Sequence, residues 1–191
     1  MGAGGEANVT KSKSPDKGAT LTGVTSVAEG RSQSYALRNN GTVWAWGNVL
    51  LPNGAGAYNV PTQISTLSSI KEIKANALNL ISLRQDGTVW TSGGNSKGQL
   101  GNGTISDAAA PVRVPSLAAV QTIAAGVEFG LALTADGKIH AWGSNAAGQL
   151  GNGDILENRD PGQITSLGTV LDYSVTPNHS FAVKENGTVW A

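Results

Sequence analysis

Apolar residues in this chain occur in short runs separated by turns that contain glycine. Four pairs of runs show the clearest pattern, because each pair is joined by an Asn-Gly or Asp-Gly dipeptide. They are SYALRNNGTVWAWG (34–47), LISLRQDGTVWTSG (80–93), GLALTADGKIHAWG (130–143) and SFAVKENGTVWA (180–191). Strand-length apolar runs on both sides of such a dipeptide predict β-hairpins. The dipeptide itself favours a type I′ turn, which needs positive φ at both central residues.

The second strand of the first hairpin has no strongly polar side. Alternate residues of a strand point to opposite sides, so Trp44 and Trp46 share one side while Val43 and Ala45 share the other. A strand that is apolar on both sides must be covered on both sides. The pattern therefore predicts small sheets that stack face to face.

The hairpins belong to a longer repeat. Their turn glycines, Gly41, Gly87, Gly137 and Gly187, follow one another at spacings of 46, 50 and 50 residues. A second phrase precedes each hairpin at the same spacings: VTSVAEG (24–30), IKEIKAN (70–76), VQTIAAG (120–126) and VLDYSVT (170–176). A third phrase, GQLGNG, follows two hairpins at 98–103 and 148–153. Repeats of this length predict the blades of a β-propeller or an equivalent solenoid.

The order of these phrases resembles the regulator of chromosome condensation repeat family. The best copy is residues 120–161, and the resemblance covers residues 24–191. It implies an all-β fold, a β-propeller of repeated four-stranded blades, with seven blades common in the family. Residues 48–61 depart from the pattern because they read NVLLPNGAGAYNVP in place of GQLGNG. The histidine that the family usually places after the A-G phrase is present only as His179; the other three positions hold Gln33, Asn79 and Phe129.

We expect one repeat domain over residues 1–191, with whole repeats at 24–69, 70–119 and 120–169 and a half blade at 170–191. Pro15 and Leu21 precede Val24 by the same nine and three residues that separate the corresponding proline and leucine from the later repeats. Residues 1–23 are therefore interpreted as the other half of a split blade, with a linker as the alternative. Three arrangements fit this pattern: a fragment of a longer ring, a half-ring completed as a homodimer, and a closed four-bladed ring, with the first two favoured.

Composition narrows the possible functions. The 13 Lys and Arg residues balance 13 Asp and Glu residues, so no electrostatic binding to nucleic acid is expected. No apolar run is long enough to predict membrane insertion. The chain has no cysteine and no phosphate-binding or nucleophile motif. The glycines of GQLGNG recur with the repeat and are interpreted as architectural.

The two histidines occupy different positions of the repeat and are not expected to form one catalytic or metal site. His140 stands where the other hairpins have tryptophan and is expected in or near the core, and His179 is expected to bond loop backbone. No carboxylate recurs beside either at ligand spacing, so we expect no metal site, no cofactor, no catalytic residue and no enzyme. The tryptophans share two registers, which favours packing between blades over a ligand cage. With the four turn glycines, the expected structural residues are Trp44, Trp46, Trp90, Trp142 and Trp190.

Recognition is expected where the scaffold repeats but the residues change. The loop after the A-G phrase reads RSQ (31–33), ALN (77–79), VEF (127–129) and PNH (177–179). Loops held by a rigid scaffold commonly carry binding residues. The predicted binding surface consists of Arg31, Gln33, Glu128, Phe129, Asn178 and His179, with ordinary solvated loops as the alternative.

The favoured function is a non-catalytic scaffold or binding module that recognises another protein through one propeller face. The resemblance implies such roles, since family members are exchange factors for a small GTPase, secreted inhibitors of β-lactamases and interaction domains of bacterial surface proteins. It also favours an extracellular or cell-surface bacterial location. The alternatives are an exchange-factor-like or inhibitor-like protein and a carbohydrate-binding or accessory enzymatic domain. The last needs at least two exposed tryptophans near paired acids on one face.

Overall fold

The computed structural model of the chain describes residues 21–51 and 54–191, and these residues form four antiparallel sheets. Sheet I contains β1 (Val24–Glu29), β2 (Gln33–Arg38), β3 (Val43–Leu51) and β4 (Gly54–Gln63). Sheet II contains β5 (Ile70–Ala75), β6 (Asn79–Arg84), β7 (Val89–Gly93) and β8 (Ala108–Arg113). Sheet III contains β9 (Val120–Ala125), β10 (Phe129–Thr134), β11 (Ile139–Gly143) and β12 (Asn158–Gln163). Sheet IV contains β13 (Val170–Val175), β14 (Ser180–Lys184) and β15 (Val189–Trp190).

Each sheet is a meander in which neighbouring strands follow one another along the chain. A 3₁₀ turn, Thr165–Leu167, precedes sheet IV. These sheets confirm the predicted all-β fold of propeller blades: three of them have four strands and sheet IV has three. The predicted half blade at 1–23, with Pro15, lies outside the described residues apart from its last three positions.

The hairpin turns correct one prediction. A type I′ turn needs a positive φ at both Asn40 and Gly41. Gly41 has a φ of 75°, but the φ of Asn40 is not positive, so the turn is not type I′. The amide of Gly41 donates to the carbonyl of Arg38, and the amide of Arg38 donates to the carbonyl of Thr42. This is a type I turn followed by a left-handed glycine. The Asn40 side chain holds it, because its Oδ1 accepts hydrogen bonds from both the amide and the hydroxyl of Thr42.

Successive sheets pack face to face, and an apolar cluster fills each junction between them. The buried side chains come from the hairpin strands of one sheet and the first strand of the next. Representative members are Val43 and Ile73 between sheets I and II, Val89 and Ile123 between sheets II and III, and Ile139 and Val170 between sheets III and IV. The hairpin strands of sheets II and III are thus covered on both sides, as the apolar pattern predicted, whereas sheets I and IV are each covered on one side.

One backbone hydrogen bond recurs at all three junctions. The amide of the residue that opens a first strand donates to the carbonyl of the turn glycine in the preceding sheet. The three bonds are Ile70 to Gly41 at 3.1 Å, Val120 to Gly87 at 3.1 Å and Val170 to Gly137 at 2.9 Å. These glycines are needed for close approach as well as for positive φ. A Cβ added to Gly87 would lie 3.0 Å from the Cα of Ala119.

Candidate functional site

The loops that join the first and second strands of the four sheets, here called the A-G loops, lie together at one end of the stack. The amide of Arg31 donates to the carbonyl of Ala77 at 3.3 Å, linking sheets I and II. The amide of Val127 donates to the carbonyl of Pro177 at 2.9 Å, linking sheets III and IV. A shallow cavity of about 370 Å³ is lined by residues from all four loops. The four A-G loops therefore lie on one face of the stack.

The backbone of the A-G loop is the same in each repeat. A residue at the start of each loop donates from its amide to the carbonyl three residues later, at 2.9 to 3.0 Å. The pairs are Gly30 to Gln33, Asn76 to Asn79, Gly126 to Phe129 and Thr176 to His179. The four loops therefore share this backbone hydrogen bond, while their side chains differ.

The structure divides the six predicted binding residues into two groups. Arg31, Asn178 and His179 are exposed, and Glu128 is half-buried. Gln33 is 8% exposed and Phe129 is fully buried. These two residues open the second strand, where the chain turns inward; the Gln33 Oε1 accepts a hydrogen bond from the amide of Ser32. Their side chains support the loops from below and do not contribute to the surface.

His179 is held by a side chain rather than by the backbone contact expected from sequence. Its Nδ1 lies 3.2 Å from the hydroxyl oxygen of Thr176, and its amide donates to the same oxygen at 3.1 Å. The ring remains exposed at the edge of the loop face. It is therefore accessible from solvent.

Two apolar side chains were left out of the predicted surface. Leu78 is 51% exposed and Val127 is 36% exposed, and both occupy A-G loops. The signal was available, because both stand at positions that change from repeat to repeat. With Arg31, Asn178 and His179 they give a face of mixed charge and polarity.

His140 is half-buried, as its replacement of a tryptophan suggested. Burial lowers its pKa, while the nearby Asp136 carboxylate acts in the opposite direction. Its Nδ1 is buried and has no hydrogen-bond partner in the structure. Among the described residues, no group of three or more His, Cys, Asp or Glu side chains could hold a metal ion.

The tryptophans play two structural roles. Trp142 is fully buried between sheets II and III. Trp44, Trp90 and Trp190 instead each donate from Nε1 to the hydroxyl of the threonine two positions earlier. Arg84 also stacks on Trp90, with its guanidinium carbon 4.2 Å from the ring centroid. In residues 21–51 and 54–191 Trp190, at 47% exposure, is the only exposed tryptophan, so the paired exposed tryptophans of a carbohydrate site are not found there.

No helix in the described part of the chain is long and apolar enough to cross a membrane.

Solved structures share this arrangement of sheets at low sequence identity. Human WBSCR16 matches with a TM-score of 0.73 and 24% identity, over 83% of this chain and 44% of that protein. Prp20p from Saccharomyces cerevisiae matches with a TM-score of 0.76 and 21% identity, over 89% of this chain and 45% of that protein. Yeast RCC1 (Prp20) in its complex with Kap60 matches with a TM-score of 0.75 and 20% identity, over 90% of this chain and 44% of that protein. The chain thus spans less than half the length of these structures.

A family model gives the sequence counterpart of this likeness. The model of the regulator of chromosome condensation (RCC1) repeat matches residues 86–133 and 136–183, about half of the chain. A second model of the same repeat matches residues 120–149. These segments contain both GQLGNG loops and the A-G loops at 127–129 and 177–179. The chain belongs to the regulator of chromosome condensation (RCC1) repeat family.

Proposed function

We propose that this chain is a non-catalytic binding or scaffold module that recognises another protein through its A-G loop face. The proposal rests on one observation: the four loops share a backbone hydrogen bond but differ in their exposed side chains. Their backbones make the same internal hydrogen bonds, whereas their exposed side chains differ. The fold does not require these particular side chains, and a rigid scaffold presents them together.

The chemistry of the face suits a protein partner. Arg31 supplies a cation, Leu78 and Val127 supply exposed apolar surface, and Asn178 and His179 supply hydrogen-bonding groups. Apolar side chains mixed with arginine and neutral polar groups are typical of protein–protein interfaces. A polyanion such as nucleic acid would instead select a cluster of cations, and the chain has no net charge.

Two structural neighbours support this use of the fold. The structure of Prp20p is described together with its binding to Gsp1p and histones, and yeast RCC1 is described bound to Kap60. Both are structures in which proteins of this fold bind other proteins. Neither supplies a partner for this chain, because the likeness is at 20 to 21% identity and covers under half of each neighbour.

Site-specific photo-crosslinking in an extract of the cells that carry the protein tests the proposal. A photoreactive residue is placed at Leu78 or Val127 on the loop face. The controls carry it at Gln85 or Ala135, which are exposed in the hairpin turns at the opposite end of the strands. We expect discrete covalent protein products from the loop-face positions only. Products of equal yield from both ends, or none from either, would contradict the proposal.

A double substitution then tests the chemistry of the contact. Arg31→Glu combined with Val127→Asp reverses a charge and places a carboxylate on the apolar part of the face. We expect it to reduce capture of the crosslinked protein by at least about tenfold, corresponding to about 1.4 kcal/mol of binding free energy. Gln85→Glu combined with Ala135→Asp is the matched control and is expected to leave capture unchanged.

A further inference from the structure

A cavity of about 360 Å³ lies at the hairpin-turn end of sheet III. It is formed by the turn between β10 and β11 together with the segment that leads into β9, and its lining includes Thr134, Asp136 and His140. Its volume falls within the range of small-ligand sites, about 300 to 1,000 Å³. No lining residue belongs to an A-G loop, so the cavity is separate from the face proposed above to bind a protein.

Each lining residue has a counterpart 50 residues earlier, in sheet II. Two residues are unchanged between the repeats, since Leu117 and Asp136 correspond to Leu67 and Asp86. The other six are smaller in sheet III. They are Ser116 for Thr66, Ala118 for Ser68, Ala119 for Ser69, Thr134 for Arg84, Ala135 for Gln85 and His140 for Trp90. The cavity therefore coincides with a consistent loss of side-chain volume at one place in the repeat.

Sheet II shows what occupies this place when the larger residues are present. The guanidinium carbon of Arg84 lies 4.2 Å from the ring centroid of Trp90, and its Nη2 donates to the carbonyl of Thr66 at 3.4 Å. The other two sheets also carry a cation at this position, namely Arg38 and Lys184. Sheet III has the uncharged Thr134 there, so it keeps the place but not the cation.

The carboxylate beside this place is kept while its cations change. In sheet II, hydrogen bonds within the turn lower the pKa of the Asp86 carboxyl group, and the charges of Arg84 and Arg113 lower it further. The residues of sheet III that correspond to the two arginines are uncharged: Thr134 and Gln163. The Asp136 carboxylate therefore lacks two cations that sheet II supplies to Asp86.

We propose that this cavity binds a small molecule that carries a guanidinium group, with the cation in the place that Arg84 occupies in sheet II. The Asp136 carboxylate and the backbone carbonyl of Ser116, the counterpart of Thr66, are the acceptors for its N–H groups. The imidazole of His140 provides a flat ring on which a planar guanidinium stacks. Arginine is the simplest ligand of this class.

The remaining groups near the cavity are compatible with a bound cation. Burial lowers the pKa of His140, so its imidazole is neutral at pH 7 and does not repel a positive charge. Lys138 does not line the cavity, and in the described part of the chain no salt bridge joins it to Asp136. A guanidinium is favoured over an ammonium because it is more weakly hydrated and loses less on entering a half-enclosed site.

Nuclear magnetic resonance of the isotopically labelled chain tests the proposal, with L-arginine as the probe. We expect saturable shifts of the amide resonances of Ala118, Ala135 and Asp136. L-citrulline is the matched probe, because it has the shape of arginine with a neutral urea in place of the guanidinium, and it should give no saturable shift. L-lysine should bind more weakly than arginine. Equal binding of either control probe, or arginine shifts that spread through the chain without saturation, would overturn the proposal.

A double substitution removes the site by restoring the pair found in sheet II. Thr134→Arg combined with His140→Trp places an arginine and a tryptophan where Arg84 and Trp90 stand one repeat earlier. The repeat accommodates both side chains at these positions, so the variant is expected to fold. It should abolish the saturable arginine shifts. Binding that survives this variant would mean that arginine does not occupy the vacated place.

A pair of amide substitutions tests the carboxylate. Asp136→Asn removes the charge opposite the guanidinium and should raise the Kd for arginine at least about tenfold. Asp86→Asn makes the same change in sheet II, where Arg84 already occupies the place, and should leave the Kd unchanged. An unchanged Kd for Asp136→Asn, or equal weakening by the two variants, would show that this carboxylate does not hold the ligand and would overturn the proposal.

Discussion

The indole Nε1 of Trp142 donates a hydrogen bond of 3.0 Å to the backbone carbonyl oxygen of Gln99. The bond crosses from sheet III to the GQLGNG loop of sheet II. The same indole lies against Gly101, where an added Cβ would be 2.9 Å from the indole Cδ1. This glycine therefore admits an aromatic side chain from the neighbouring blade, which gives the loop a structural role.

A matched pair of glycine substitutions isolates that contact. Gly101 and Gly151 occupy the same position of the two GQLGNG loops and have φ values of 64° and 66°, but nothing lies within 4 Å of a Cβ added to Gly151. Both alanine variants carry the strain of a left-handed residue, about 1 to 2 kcal/mol. Gly101→Ala must also displace Trp142, which adds about 1 to 3 kcal/mol. Denaturant unfolding measures the difference, and equal losses of stability would show that the indole contact is unimportant.

The sequence predicted the parts of this fold that local chemistry decides. Turn glycines and apolar runs are set by neighbouring residues, so their spacing predicted the strands, the repeat and the family. The turn type was wrong because the Asn40 side chain bonds Thr42, and dipeptide preference does not include that contact. The burial of Phe129 was missed for another reason. Adjacent positions of one loop point inward or outward according to the packing of the whole stack, which the loop sequence does not contain.

A buried asparagine was also missed. Asn95 is 0% exposed beneath the GQLGNG loop, and its Oδ1 accepts a hydrogen bond from the Leu100 amide at 2.9 Å. Its Nδ2 donates to the backbone carbonyls of Thr104 and Ser106, each at 3.0 Å. Asn145 repeats this role in sheet III with the Leu150 amide. An asparagine in a polar stretch resembles a solvated loop residue, and only the folded loop shows that it organises the turns around it.

Removing that side chain should destabilise the chain strongly. Asn95→Ala leaves the buried Leu100 amide without a partner and also loses the bonds donated by Nδ2. Because each unpaired buried group costs about 1 to 3 kcal/mol, we expect a loss of roughly 2 to 4 kcal/mol in unfolding free energy. Asn178→Ala removes an exposed amide and should change stability by less than about 0.5 kcal/mol. Urea unfolding compares the two, and similar losses would contradict the assignment.

We expect ionisation of Tyr35 to lower the free energy of unfolding at alkaline pH. It is buried between sheets I and II, and burial raises its pKa to about 12. In the unfolded chain the phenol ionises near its ordinary pKa of about 10. The folded state therefore holds the proton more tightly, and its contribution to stability is complete below about pH 10 and declines toward pH 12. Tyr35→Phe should make unfolding less sensitive to pH above 10, as measured by urea unfolding at a series of pH values. An unchanged dependence would contradict this prediction.

We expect protonation of His140 to lower the free energy of unfolding in mild acid. Burial lowers its pKa, so the folded state binds a proton less readily than the unfolded chain does. The unfolded chain then holds more protons near the ordinary histidine pKa, and stability falls as pH decreases through about 6.5. Asp136 does not interfere in this range, since the hydrogen bond from the Thr134 hydroxyl lowers the pKa of its carboxyl group. The melting temperature should therefore decrease between about pH 7.5 and pH 5.5.

The two histidines provide matched variants for this test. His140→Gln removes the buried imidazole and should flatten the dependence of the melting temperature on pH. His179→Gln makes the same change at an exposed position and should leave the slope of the wild-type chain. If His140→Gln kept that slope, groups other than the buried imidazole would be responsible. If both variants flattened it, burial would not be the property that matters, because His140 is half-buried and His179 is exposed.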